Sequence, residues 1–481
     1  MQDKLAELLR LLGVSEADTG GKVTIEGSDP VVASRHRIGE ATSVLLATFG
    51  IEMAALWKMR TGRGQDVRVK VRNAVCQLAA FFYARQNGLR PPYEDPAMAE
   101  TTDFFRCKDG RWVYIVCSIP HLRNKACAVL RCQPTRQEFI IHCGAWNGLD
   151  LEEAIQAAGG ACAMVRTRAE WLASEQGKAI ESEPLIRIEK IGDSAPIPFP
   201  AAGGQTPDGP LAGIRVIDNT HIYAGPYCGR IAADSGADVL HVAPAQYPDP
   251  PTMLLDTNPG KRDAWCNVAD PGTADAFWTL VKGADVWLNS YMTLDRKGIA
   301  PGRLAAVRPG IVCVEFRCFG FRGPWAARGG FEQHAQSVTG FAVNEGSADA
   351  PQGPPTYLLN DAMCALLGSI GMLEALRRRA RDGGSYSVQV TLAKNCSWLQ
   401  GFGLFDAAEI AGSGLAASVL DNPGLNGRVR RDFERPLVKS TGALGEVENL
   451  PLQVEFSEIK LGPRHSGNPN GSSRLEWLPR S

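Results

Sequence analysis

The sequence predicts an α/β protein, a doubly wound, Rossmann-like parallel sheet accompanied by a smaller α+β domain. Three observations carry this expectation. From residue 211 onward, short apolar runs at 214–217, 237–242, 285–288 and 311–316 alternate with helical stretches at 228–235, 274–282 and 301–307. Strands alternating with helices build parallel sheets. Between 86 and 200 the elements are shorter and mixed, as in a small α+β unit. Finally, the chain repeats itself: 40–78 lies on 361–399 without a gap, pairing Leu45-Leu46 with Leu366-Leu367, Gly50 with Gly371, Gly62 with Gly383, and Val67 and Val69 with Val388 and Val390. Both copies read as an acid, an apolar helix, a glycine turn and an alternating strand. Two generic helix–turn–strand pieces would give the same plan.

The elements follow in order. Residues 1–12 form a short amphipathic helix bearing acidic residues, unlike a secretory signal or a transit peptide. A long apolar helix at 39–59 ends at Thr61-Gly62-Arg63-Gly64, where glycine terminates helices. The strand at 66–71 alternates strictly, and a helix follows at 74–85. A hairpin is expected at 103–107 and 112–116 around Lys108-Asp109-Gly110, then helices at 121–130, 150–157 and 168–175. The domains are accordingly 1–85 (helix–turn–strand), 86–200 (small α+β), 201–210 (a Pro/Gly/Ala linker), 211–430 (α/β) and 431–481 (an irregular tail).

Composition narrows the function classes. A chain of 481 residues exceeds one core, and its 44% hydrophobic and 21% charged content suit a globular protein. A net charge of −1 gives no footprint for nucleic acid or an anionic membrane, and no apolar run reads as long enough to span one. Thirteen cysteines at irregular spacing, without a C-x-x-C pair or Cys/His cluster, imply reduced thiols and no metal. An intracellular, cytoplasmic location is expected. There is no H-E-x-x-H, no G-x-S-x-G elbow and no P-loop.

The stretch 353–376 draws attention, because Asn360-Asp361 immediately precedes a buried-helix pattern of Met363, Leu366, Leu367, Ile370 and Leu373. A carboxylate there meets free backbone N–H groups and the positive end of the helix dipole, which favour its ionised form. Locally, Asp361 reads as an N-cap. In a parallel sheet the loops at the strands' carboxyl ends bind ligands. Here they hold Tyr223-Ala224-Gly225-Pro226, Ser290-Tyr291 and Gly320-Phe321-Arg322-Gly323-Pro324.

Together these segments resemble the family III CoA-transferases, the CaiB/BaiF group. The matching residues are 210–218, Ala224-Gly225-Pro226, Gly236-Ala237-Asp238-Val239, Gly260-Lys261-Arg262, Ala284-Asp285-Val286, Gly320-Phe321-Arg322-Gly323-Pro324 and the Asp361 helix. Residues 39–78 and the Asp109-Gly110-Arg111-Trp112 turn resemble later parts of the family, so the order is permuted: the end of one unit precedes the beginning of another. The resemblance implies that Asp361 is a nucleophile forming a mixed anhydride with an acyl-CoA donor, and that Glu40, its counterpart in the repeat, is a vestige. Lys261, Arg262 and Arg296 fall where CoA phosphates would be met, although a Lys-Arg pair equally suits a solvated surface. Tyr223, Ala224, Ser290 and Tyr291 would contact coenzyme A, with Tyr291 either stacking on adenine or simply packing. Tyr223, Phe331 and Gly320 would line the substrate pocket.

Tyr223 and Phe331 stand where the formyl-CoA transferase has Gln and Tyr, implying an acid larger or less polar than oxalate. The racemase branch has His at the Phe331 position, leaving His334 as a displaced candidate base. The implied function is CoA transfer from an acyl-CoA to a carboxylic acid, in an interlocked homodimer. A CoA-thioester isomerase, racemase or lyase on the same fold and a non-catalytic CoA-binding homologue are the alternatives. A capping role for Asn360 would leave the Asp361 carboxylate free.

Overall fold

The computed structural model describes residues 1–89, 100–200, 206–415 and 437–479. Part of the expected linker (201–205) and of the tail (431–436 and 480–481) lies outside the described residues, as do 416–430. The centre is a seven-stranded sheet built from β1 (Arg187–Gly192), β2 (Arg215–Asn219), β3 (Asp238–Ala243), β4 (Arg262–Trp265), β5 (Val286–Asn289), β6 (Val312–Arg317) and β7 (Ser385–Thr391). Its order is β4-β3-β2-β5-β6-β7-β1. All neighbours run parallel except the edge pair β7 and β1, which is antiparallel. Strands such as β5, Val-Trp-Leu-Asn, are buried on both faces, as parallel strands between helical layers must be. The edge strand β1 comes from the segment preceding residue 200, so the small domain and the sheet are continuous.

The small unit has the expected hairpin, Asp103–Arg106 against Trp112–Ile115, and a third strand, Cys162–Met164. Helices at Pro120–Leu130, Gly148–Ala157 and Arg168–Ala173 match the expected positions, with Arg136–Cys143 in addition. The tail is less irregular than its composition suggests. Val438–Gly442 and Gly445–Asn449 form a hairpin that pairs with Arg85–Gln86, and Glu455–Phe456 pairs with the strand Val67–Lys70. Its mostly polar residues hide this order: backbone ladders hold the hairpin, and its apolar contact is small, Val447 and Leu444 against Ala84 and Leu255. All thirteen cysteines are free thiols.

The repeat is structural. Its long helices, Ile38–Thr61 and Leu359–Asp382, each have 24 residues and start at equivalent positions. A Cβ on Gly50 would lie 2.4 Å from Val67, and one on Gly371 would lie 2.4 Å from Val388. In each copy, therefore, the glycine lets the helix settle onto its following strand. Between the helices, Arg377 pairs with Glu52 at 2.7 Å and with Glu374 at 3.0 Å, all three buried. By length and composition both helices could cross a membrane, contrary to the sequence reading. Both are packed inside the protein, 94% and 100% buried.

Candidate functional site

The chain leaves β2 toward β3 and leaves β5 toward β6, on opposite sides of the β2–β5 pair. At that topological switch point the following loops part and leave a crevice. A cavity of about 80 Å³ opens there, walled by His221–Gly225 after β2 and by Ser290 and Met292 after β5. Phe316, Arg317 and Cys318 close it at the end of β6, and Phe331, Asp361 and Leu392 complete it.

Asp361 is the third residue of the Leu359–Asp382 helix, whose N-cap, Leu358, has no capping side chain. The cap comes from elsewhere: the Asp361 N–H donates to Glu332 Oε2 at 2.9 Å, while Gln336 Nε2 donates to Glu332 Oε1 at 2.7 Å. Asn360 does not cap, contrary to expectation. Its amide donates to the Leu392 carbonyl at 3.1 Å and its carbonyl accepts from Asn395 at 2.5 Å, tying this helix to Leu392–Gln400. Asp361's own carboxyl is left free at the cavity wall. The dipole does not keep it fully ionised, because burial pushes its pKa up to about 7. Glu332 is raised well above the ordinary range, first by burial and then by the facing Asp361 charge. Burial and mutual repulsion thus favour a proton on the Asp361–Glu332 pair.

The opposite wall is the start of the Ala224–Asp234 helix. Ile222 adopts φ 71°, and its N–H donates to Asp249 Oδ1 at 2.8 Å, which holds this left-handed turn. Gly225 packs so tightly that a Cβ would lie 2.5 Å from the Thr220 side chain. The turn sets Ala224 and Gly225, the first helical residues, in the cavity wall, and the N–H groups of a helix's first turn lack intrahelical partners and suit an oxyanion. His221 stacks on Tyr291 at 4.4 Å, with its Nδ1 3.0 Å from Ser290 Oγ. Burial holds its imidazole below the usual pKa, in the neutral form.

The sequence-predicted residues divide. Asp361, Tyr223, Ala224, Ser290 and Phe331 meet at the cavity. Tyr223 directs its hydroxyl away to Asp256 at 2.7 Å. Phe81, from the first unit, stands edge-on to Tyr223 at 6.4 Å, so residues before 200 reach this site within one chain. Tyr291 supports His221 rather than lining the cavity. Gly320 is also behind the wall, where a Cβ would lie 2.6 Å from Ile180. Arg296 is exposed on a surface turn.

Lys261 and Arg262 are corrections. Lys261 is wholly buried, its ammonium 2.7 Å from Asp218 and 2.6 Å from the Pro226 carbonyl. Arg262 belongs to β4 and pairs with Asp238 at 2.9 Å. Both charges are consumed inside the fold, so neither is free for a phosphate. His334 is buried too, accepting the Phe331 N–H at 3.0 Å, and does not line the cavity as a displaced base would.

Behind the turn lies a buried charge cluster. His241 faces Asp249 at 3.4 Å and Asp218 at 3.6 Å, and these carboxylates, outweighing burial, raise it to about 10. No cluster of three or more potential ligands has metal-site geometry among the described residues. Sequence reasoning missed His221, Arg317 and Met292 as wall residues and Glu332 as the acceptor behind Asp361, since none carries a local pattern. The first repeat has a matching arrangement: Glu40 also occupies the third helical position, and its N–H donates to Asp29 at 2.8 Å. Glu40 itself does not reach the cavity.

A family model, CoA-transferase family III, matches residues 13–196 and 211–421. The chain is 32% identical over 251 residues to an acetyl-coenzyme A transferase of Hypoxylon pulicicidum, covering 49% of this chain and 42% of that protein. It is 32% identical over 205 residues to the succinyl-CoA–L-malate CoA-transferase beta subunit of Chloroflexus aurantiacus, covering 39% and 50%. It spans about half the length of the curated relatives it matches. A crystal structure of a hypothetical protein from Mycobacterium tuberculosis aligns at TM-score 0.38 and 26% identity, covering 41% of this chain and 59% of that one.

Proposed function

The chain belongs to the family III CoA-transferases, and on that premise we propose that it moves CoA from an acyl-CoA to a carboxylic acid through an anhydride on Asp361. The Asp361 carboxylate attacks the thioester carbonyl, the C–S bond breaks and CoA leaves as thiolate. The incoming carboxylate attacks the aspartyl carbonyl of the anhydride and displaces the donor acid as its carboxylate. The thiolate then attacks the new acyl carbonyl, forming the product thioester and freeing Asp361. This is covalent catalysis that divides one difficult exchange into easier steps. The N–H groups at the start of Ala224–Asp234 stabilise the oxyanion of each addition. A largely apolar wall of Phe316, Phe331 and Leu392 keeps water from the anhydride.

The observation that carries the reading is the free Asp361 carboxyl, set at a cavity on the sheet's switch point while Glu332 satisfies the helix end. The aromatic residues Tyr223 and Phe331 favour an acid larger or less polar than oxalate. Homodimerisation and an intracellular location belong to the same proposal. The experiment is hydroxylamine trapping of the anhydride after mixing with acetyl-CoA, read by mass spectrometry of the protein. Attack at the aspartyl carbonyl releases acetate and leaves an aspartyl hydroxamate, expected on the wild type and absent from Asp361→Asn; a hydroxamate formed equally in that variant overturns the assignment. Activity confined to oxalate or formate overturns the acceptor reading.

A further inference from the structure

Arg317 ends β6, at the carboxyl end of the sheet, and lines the same cavity as Asp361. Arginines that do not line the cavity have acidic partners: Arg322 with Glu183, Arg328 with Glu152 and Glu153, and Arg166 with Glu152. Arg317 has no ion pair within 4 Å among the described residues. Its protein contacts are one long hydrogen bond, Nη1 to the Ala326 carbonyl at 3.3 Å, and the Phe321 ring at 4.6 Å. Glu315, two residues earlier, forms no ion pair with it within 4 Å, and its carboxyl accepts from Asn289 at 3.2 Å. Arg317 is thus a half-buried residue that shares the cavity lining with the apolar Phe316, Phe331 and Leu392 and makes no ion pair within 4 Å among the described residues.

Resting on the transferase reading, we propose that Arg317 binds a second, non-reacting carboxylate, so that the acid substrate is a small dicarboxylate with an apolar middle. A planar guanidinium holds a carboxylate through two parallel hydrogen bonds. Held that way, a carboxylate cannot act as the nucleophile, so Arg317 suits the end of the acid that does not react. The other end remains free to attack at Asp361. The apolar wall between matches a short methylene chain. A CoA phosphate is disfavoured here, because the pantetheine arm separates the phosphates from the thiol that must reach Asp361.

The test has two arms. Binding of succinate and glutarate to the intact protein is measured by calorimetry against butyrate and valerate. Acceptor kcat/KM is measured for the same pairs in wild type, Arg317→Lys and Arg317→Met. Expected are dicarboxylate binding and a dicarboxylate-to-monocarboxylate kcat/KM ratio that falls roughly 10- to 100-fold in Arg317→Met, the range of a charge-assisted contact, with partial recovery in Arg317→Lys. A wild-type preference for monocarboxylates, or an Arg317→Met loss equal for every acid, overturns the proposal. Selective dicarboxylate binding that depends on Arg317, without any trapped acyl-enzyme, would sustain the anion site and defeat the transferase reading instead.

Discussion

The backbone N–H of Asp361 donates to the carboxyl of Glu332, 29 residues earlier, at 2.9 Å. A helix end needs partners for its free N–H groups, and the usual partner is a carboxyl or hydroxyl at its own start. Here that duty passes to a distant glutamate, and the carboxyl at the helix start is left for chemistry. The first repeat has the same device, with the Glu40 N–H on the Asp29 carboxyl at 2.8 Å. Only the second copy adjoins the cavity.

Glu332 serves the helix end as an acceptor, so Glu332→Gln, which keeps an acceptor oxygen, is expected to keep most of the acylation rate, whereas Glu332→Ala strips the helix of its acceptor and costs about 1–3 kcal/mol of stability. Trapping rates and urea unfolding of both variants check this. Equal losses in the two would mean that the charge of Glu332 matters.

Acylation rises with pH through about 7 as Asp361 ionises. Stability runs the other way. The folded-state pKa exceeds the unfolded value of about 3.9, so the folded protein retains a proton that the unfolded chain has lost. The stabilisation present below pH 4 is therefore lost as pH rises through 7. Asp361→Asn is expected to raise Tm at pH 8 and to matter little at pH 4, as thermal melts across that range would show.

His241 gives a reading of the same sign at higher pH. Its folded pKa is raised to about 10, so it contributes stability that is complete below about pH 6.5 and lost as pH rises toward 10. His241→Gln should flatten Tm over that window. A decline unchanged in the variant would assign it to another group.

Asp249 holds the left-handed turn at Ile222 and through it aims the Ala224 helix start. Asp249→Ala is expected to lower kcat about 10- to 100-fold, the scale of a misplaced catalytic geometry, with a smaller change in KM. Asp249→Asn, which keeps an acceptor, should recover much of it. Steady-state kinetics of the two variants separate positioning from general loss of fold.

Gly371→Ala and Gly50→Ala each force a methyl against a valine and should cost about 1–3 kcal/mol. Adding Val388→Ala to the first and Val67→Ala to the second should restore part of it, as double-mutant unfolding would measure. Additive losses would mean that these contacts are not what the glycines serve.

Much of the fold was legible. Period-two and period-3.6 patterns located β2, β3, β5 and β6 within two residues, and the repeat gave both long helices. The strand β4 was hidden because Arg262 and Asp263 look like surface residues, yet Asp263 is buried and Arg262 is paired with Asp238. Of the residues the sequence singled out, Asp361, Tyr223, Ala224, Ser290 and Phe331 meet at the cavity, whereas Lys261 is buried against Asp218.

By itself the sequence determined the sheet-and-helix alternation, the duplicated helix–strand unit and the placing of an acid at a helix start. These are local, since periodicity records which faces are apolar. Tertiary structure decided what surrounds each charge: Glu332 on the Asp361 helix, Asp218 against Lys261 from 43 residues away, and Arg317 without an acid. Whether a charge is free, paired or neutralised depends on desolvation and on partners within a few ångströms. Folding brings those partners together from positions whose spacing carries no signal.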